Sequence, residues 1–132
     1  VPIRFDIDMD KRWIQTTASG RVRYADLIDY YHRLRSHPDF ADDLSIIFDT
    51  TPSEGFDLDF DDVSRLSTVN EQFTQLDPPL NVAIVAPGDL AFGLSRMYET
   101  LKNASPSSVK VFRDRAAAEA WVSTRARDAA SH

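Results

Sequence analysis

Residues 82–98 read VAIVAPGDLAFGLSRMY: an unbroken apolar run, a Pro-Gly pair and a helical pattern in succession. A strand apolar on both faces belongs inside a sheet covered on two sides, so VAIVA (82–86) marks the sheet's centre. The turn after it raises the question of a nucleotide site, because Gly88 and Gly93 have the spacing of a phosphate-binding loop. Such a loop needs free backbone N–H groups to cradle the anion and a lysine to neutralise it. Leu94 stands at the lysine position, and Asp89 puts a carboxylate where the phosphate would sit. Both features oppose an anion at a helix N-terminus. Pro87-Gly88 therefore reads as a turn, Asp89 as a helix cap and Gly93 as a close approach to the sheet. It is not a Walker loop.

Outward from this unit, the hydrophobic period switches between two and 3.6. Residues 3–9 alternate strictly, with Ile3, Phe5, Ile7 and Met9 on one face, and 13–19 suit a second strand joined by a short polar hairpin. From Tyr24 the period becomes helical, with Tyr24, Leu27, Tyr31 and Leu34 inward and Asp29 four residues before Arg33. That helix should end near Ser36, because the residue before Pro38 avoids the α region. LSIIFD (44–49) reads as a strand and TTPSEGFD as a loop. A helix over about 61–75 turns Val63, Leu66, Val69, Phe73 and Leu76 inward and stops at Pro78-Pro79. The third helix starts at Asp89 with Leu90, Leu94, Met97 and Leu101 inward. Phe92 then faces solvent beside Arg96 and Glu99. VKVF (109–112) is the last strand, and Asp114 caps a final helix through Trp121.

This order predicts a single α/β domain over residues 1–132. Its five-stranded mixed sheet starts with an N-terminal hairpin that adds an antiparallel edge, has three strands parallel, and is flanked by about four helices.

Composition narrows the function classes. The chain has 132 residues, 42% hydrophobic and 27% charged, as a folded domain with one core should. It contains no cysteine, which excludes disulfides, thiolate catalysis and Cys-ligated zinc and points to a reducing cytoplasm. A formal charge of −6 without a basic cluster opposes binding to nucleic acid or to an anionic membrane surface. No apolar stretch is long enough to span a membrane, and VPIRFDIDMD lacks the apolar core of a signal peptide.

The remaining chemistry-bearing residues form a recognition set more than a catalytic one. In FDLDFDD (56–62), Asp57, Asp59 and Asp61 have the first spacings of a calcium loop, but Asp62 and Thr68 replace the required Gly and Glu. Negative charge at a helix start explains the run. His32 falls on a solvent face, His132 is the last residue, and His37 beside Asp39, Asp42 and Asp43 offers a weak metal site that a helix-ending loop explains equally well. No metal site, cofactor or Ser–His–acid set is assigned. In open α/β sheets ligands gather outside the carboxyl ends of the parallel strands. Those ends supply Asp49, Thr50, Thr51, Pro87, Gly88, Asp89 and Arg113, and an exposed Phe92 with Arg96 adds a contact surface nearby.

On IIFDTT (46–51), VAIVAPGDLAFGLSRMYE (82–99) and VKVFRDRAAAEAWV (109–122), the chain resembles the SpoIIAA-like family of STAS/SEC14-type domains. The resemblance implies a mixed sheet with helices around it and a small bacterial protein with no established enzymatic activity. Its anti-sigma-antagonist side implies a phosphorylated Ser or Thr at the start of the helix after the third strand. Here that start reads Phe60-Asp61-Asp62-Val63, with no hydroxyl until Ser64. Its SEC14 side implies an apolar ligand cavity. The expectation is a non-catalytic, regulatory binding domain acting on a protein partner or on a second copy of itself. The alternative is a small-molecule or lipid-binding domain with a pocket at the C-terminal ends of the parallel strands, distinguished by an enclosed apolar pocket of about 300 Å³ or more.

Overall fold

The computed structural model describes residues 2–40, 44–74, 81–102 and 108–130. The alternating N-terminus forms β1 (Ile3–Asp8) and β2 (Trp13–Ala18), joined by a turn in which the Lys11 amide donates to the Asp8 carboxylate at 3.0 Å. There follow β3 (Gly20–Arg23), α1 (Tyr24–Arg35), β4 (Ser45–Asp49), β5 (Ser53–Asp57) and α2 (Phe60–Thr74). The second half contains β6 (Asn81–Val85), α3 (Asp89–Lys102), β7 (Ser108–Phe112) and α4 (Arg115–Ala130). Leu76, Pro78-Pro79, Asp42, Asp43 and His132 lie outside the described residues, as do the side chains of Val69, Phe73 and Leu101.

Five strands form a mixed sheet in the order β1-β2-β4-β6-β7. The β1–β2 pair is antiparallel and every later pair is parallel. Four strands thus run together, one more than expected, because β2 pairs with β4 after closing the hairpin. The VAIVA strand is internal, between β4 and β7. Its alternate residues enter two different cores. Val82 and Ile84 join Ile46 of β4 and Leu27, Tyr30 and Leu34 of α1, while Ala83 and Val85 join Ile47 with Ala118 and Val122 of α4. That split is the physical reason for apolarity on both faces.

Two strands were not legible as such. Gly20 adopts φ +65° and turns the chain out of β2, so that β3 pairs in parallel with β5 in a separate two-stranded sheet. Arg21 on β3 forms an ion pair with Asp57 on β5. Its guanidinium passes over Gly55, where a Cβ would lie 3.4 Å from Nη1. The acidic run 56–62 is accounted for in the same way. Asp57 pairs with Arg21, and Asp59 and Asp62 cap the start of α2 reciprocally: the Asp62 amide donates to Asp59 at 2.8 Å and the Asp59 amide to Asp62 at 3.2 Å.

Helix α1 ends at Arg35 with Ser36 as its C-cap, as the proline rule requires. Tyr30 rather than Tyr31 is its deepest aromatic, with its hydroxyl 2.8 Å from Thr16 Oγ1. Asp114 caps α4 by accepting the Ala117 amide at 2.9 Å, and that helix continues to Ala130.

Candidate functional site

Parallel pairing sets Thr17, Asp49, Val85 and Phe112 level across the sheet, so the loops after β4, β6 and β7 share one end. There Arg113 gathers several of the expected site residues. Its guanidinium donates to the Pro87 carbonyl at 3.0 Å and to the Asp89 carboxylate at 2.8 Å, and lies 3.9 Å from the centre of the Phe92 ring. The Gly88 carbonyl accepts the Phe92 amide at 2.9 Å as α3 begins. Asp89 is therefore used by Arg113 and does not cap its own helix. Asp49 accepts the Thr51 amide at 2.9 Å and a proton of Arg115 at 3.3 Å. Thr50 is buried, and its hydroxyl donates to the Val85 carbonyl at 2.8 Å. Arg96 pairs with Glu99 at 2.8 Å. These contacts tie the loops to one another.

The phase of α3 differs from the one read in the sequence. Leu90, expected inward, is 69% exposed, whereas Glu99, expected outward, is 8% exposed. Phe92 packs partly against the core beneath Arg113. The ring expected to stand in solvent with Arg96 is thus partly enclosed. A Cβ at Gly93 would meet nothing within 4 Å, so that glycine serves no close approach to the sheet. The inward line of α3 consists instead of Ala91, Leu94, Ser95 and Tyr98.

This line forms one wall of a cavity of about 90 Å³, partly open to solvent, on the sheet face that carries α1, α2 and α3. Its floor is Ile46, Phe48, Val82 and Ile84 of the central strands. Leu27, Tyr30 and Tyr31 of α1 stand opposite α3, and Phe56, Leu58, Val63 and Leu66 close the remainder. No lining residue is a carboxylate, a histidine or a cation. Burial pushes the phenols of Tyr30 and Tyr31 above the usual tyrosine range. Of the residues expected to bind, only Thr50 lines this space. A wider depression of about 590 Å³ lies near Asp6, Asp8, Asp10, Trp13 and Arg115, but it is shallow and its wall is charged. His37 is engaged locally, with Nδ1 accepting the Asp39 amide at 3.1 Å.

The strand order and the helices on both faces can be compared with known proteins. A solved structure from Shewanella loihica PV-4, an uncharacterized protein of the DUF3478 family with a SpoIIAA-like fold, is similar over 91% of this chain and 91% of its own. The TM-score is 0.57 and the sequence identity 21%. The fold is SpoIIAA-like. No protein-family model matches the chain, and no curated protein matches it. No helix among the described residues is long and apolar enough to cross a membrane.

Within this SpoIIAA-like fold, the cavity depends on residues from segments far apart in sequence. Ala91 and Ser95, one turn apart, are the small side chains of α3 that leave the space beside Leu94 and Tyr98. That i, i+4 pair of small residues was the one local signal for it. The leucines of α3 mask that signal, because their spacing points to a different inward face.

Proposed function

We propose that the chain is a non-catalytic binding domain of the cytoplasm that takes one small, uncharged apolar group into the cavity beneath α1, α2 and α3. The observation that supports this reading is the lining, which is apolar apart from hydroxyls and contains no charged side chain. A charged guest would lose its hydration there without gaining a counter-ion. The same lining has no acid–base pair to transfer a proton at neutral pH. The cavity, at about 90 Å³, falls short of the mark of about 300 Å³ set above for a ligand-binding domain, and of the roughly 300–1,000 Å³ of pockets that enclose drug-sized ligands, so the guest is a small molecule or one apolar end of a larger one. Burial contributes about 0.8 kcal/mol per methylene, so a guest of about six carbons binds in roughly the millimolar range.

Titration with millimolar toluene, followed by the methyl resonances of Ile46, Leu66, Val82 and Ile84, tests the reading. Saturable shifts confined to these methyls are expected. Unmoved methyls at the solubility limit of toluene would refute it.

A protein partner, including a second copy of the chain, is the second reading. Phe60 is 59% exposed and Leu90 69% exposed, and they stand close in sequence to the lining residues Leu58 and Ala91. On that reading the domain is regulatory and the cavity receives an apolar side chain. Sedimentation velocity of the protein and of a Phe60→Ser, Leu90→Ser variant tests the self-association form of it.

A further inference from the structure

We infer that Ser95 is the recognition hydroxyl of this cavity, and that the guest is a neutral apolar molecule carrying one hydrogen-bonding group of the phenol, alcohol or ketone kind. The inference rests on the binding reading above and specifies its ligand. Five hydroxyl-bearing residues line the space: Tyr30, Tyr31, Thr50, Ser95 and Tyr98. Four already have partners. Tyr30 bonds Thr16 at 2.8 Å, Thr50 donates to the Val85 carbonyl at 2.8 Å, and Tyr31 and Tyr98 are each engaged by another residue. Among the described residues Ser95 has no hydrogen-bond partner, and its oxygen is not sealed away from solvent or a guest.

What sets this hydroxyl apart is its place in the cavity wall, since Ser64 and Ser123 likewise make no bond to the carbonyl four residues back but do not line the space. Helical Ser and Thr commonly satisfy themselves by bonding the carbonyl four residues back. Thr68, Thr100 and Thr124 do so in this chain, to Ser64, Arg96 and Ala120 at 3.4, 2.9 and 2.9 Å. Ser95 does not make the corresponding bond to Ala91. A serine hydroxyl is one donor and two acceptor sites, so it can pair with a guest carbonyl or hydroxyl alike. Because the rest of the wall is apolar or already paired, this single contact distinguishes a guest with one polar atom from a pure hydrocarbon.

Toluene and phenol are near-isosteres that differ by that polar atom. Both are titrated into the wild-type protein and into Ser95→Ala, with the same four methyl-bearing residues as the readout and matched melting temperatures as the control for folding. Ser95→Ala is expected to weaken phenol by about fivefold to tenfold, the worth of one net hydrogen bond, and to leave toluene unchanged. Ser95→Thr is expected to retain the preference. Equal phenol affinity in wild type and Ser95→Ala, with toluene still binding, would overturn the role of Ser95 while the cavity reading stands. Failure of both probes to bind the wild type would overturn both.

Discussion

The carboxylate of Glu99 reaches from α3 to the edge strand β7, where its Oε2 accepts the Val111 amide proton at 2.8 Å. Its Oε1 accepts from Arg96, also at 2.8 Å. Among the described residues strand β7 pairs with β6 alone, so this amide would otherwise be an open template for another strand. Glu99→Ala removes the one acceptor of a buried N–H found among the described residues and should cost about 2–3 kcal/mol in urea unfolding. Glu99→Gln keeps an acceptor and should cost about half as much. Arg96→Ala should cost under about 1 kcal/mol, because the arginine is half exposed. Amide exchange at Val111 should quicken in Glu99→Ala and not in Arg96→Ala.

The Thr16–Tyr30 hydrogen bond carries a pH signature. Burial raises the phenol pKa of Tyr30, and also that of Tyr31, above the ordinary value near 10. The unfolded chain therefore releases these protons at lower pH than the folded one. Their contribution to stability is complete below about pH 10 and declines as pH rises above it, for Tyr30 by about 1.4 kcal/mol per unit. Urea midpoints measured between pH 9 and 11 should fall accordingly, with a shallower fall in Tyr30→Phe. At pH 7 that variant should lose about 1–2 kcal/mol, since Thr16 is left without its partner.

Gly93 lies on the exposed side of α3 with no atom within 4 Å of a Cβ built there. Gly93→Ala should stabilise the protein by about 0.5–1 kcal/mol through lower unfolded-state entropy and better helix propensity. Chemical denaturation checks this, and a loss of stability would mean that the face is covered.

Arg113 covers the Phe92 ring at 3.9 Å and joins it to Pro87 and Asp89. Phe92→Ala should cost about 2–3 kcal/mol, less than a fully buried phenylalanine because the ring is only partly enclosed. Arg113→Ala should cost about 0.5–1 kcal/mol. The two losses should be less than additive in the double variant, because each side chain packs on the other.

The α/β class, the internal position of 82–86 and several helix limits were determined by the sequence alone. Those properties are local: two-faced apolarity marks an inner strand, Asp114 supplies its own cap, and Pro38 stops α1 at Ser36 whatever packs around it. The strands β3 and β5 escaped because GRVR and SEGFD have too few apolar residues to show a period of two. They pair only because Gly20 turns the chain and Arg21 meets Asp57. The phase of α3 was likewise undecided by its own residues, since Leu90, Phe92, Leu94, Met97 and Tyr98 leave apolar side chains around much of the helix. Tertiary structure decided it, because the edge amide of Val111 needs the carboxylate of Glu99. That rotation brings Ala91 and Ser95 over the sheet and Leu90 into solvent. The cavity has the same origin: its volume is the space left between side chains of α1, α2, α3 and the sheet, set by their mutual placement and by no single segment.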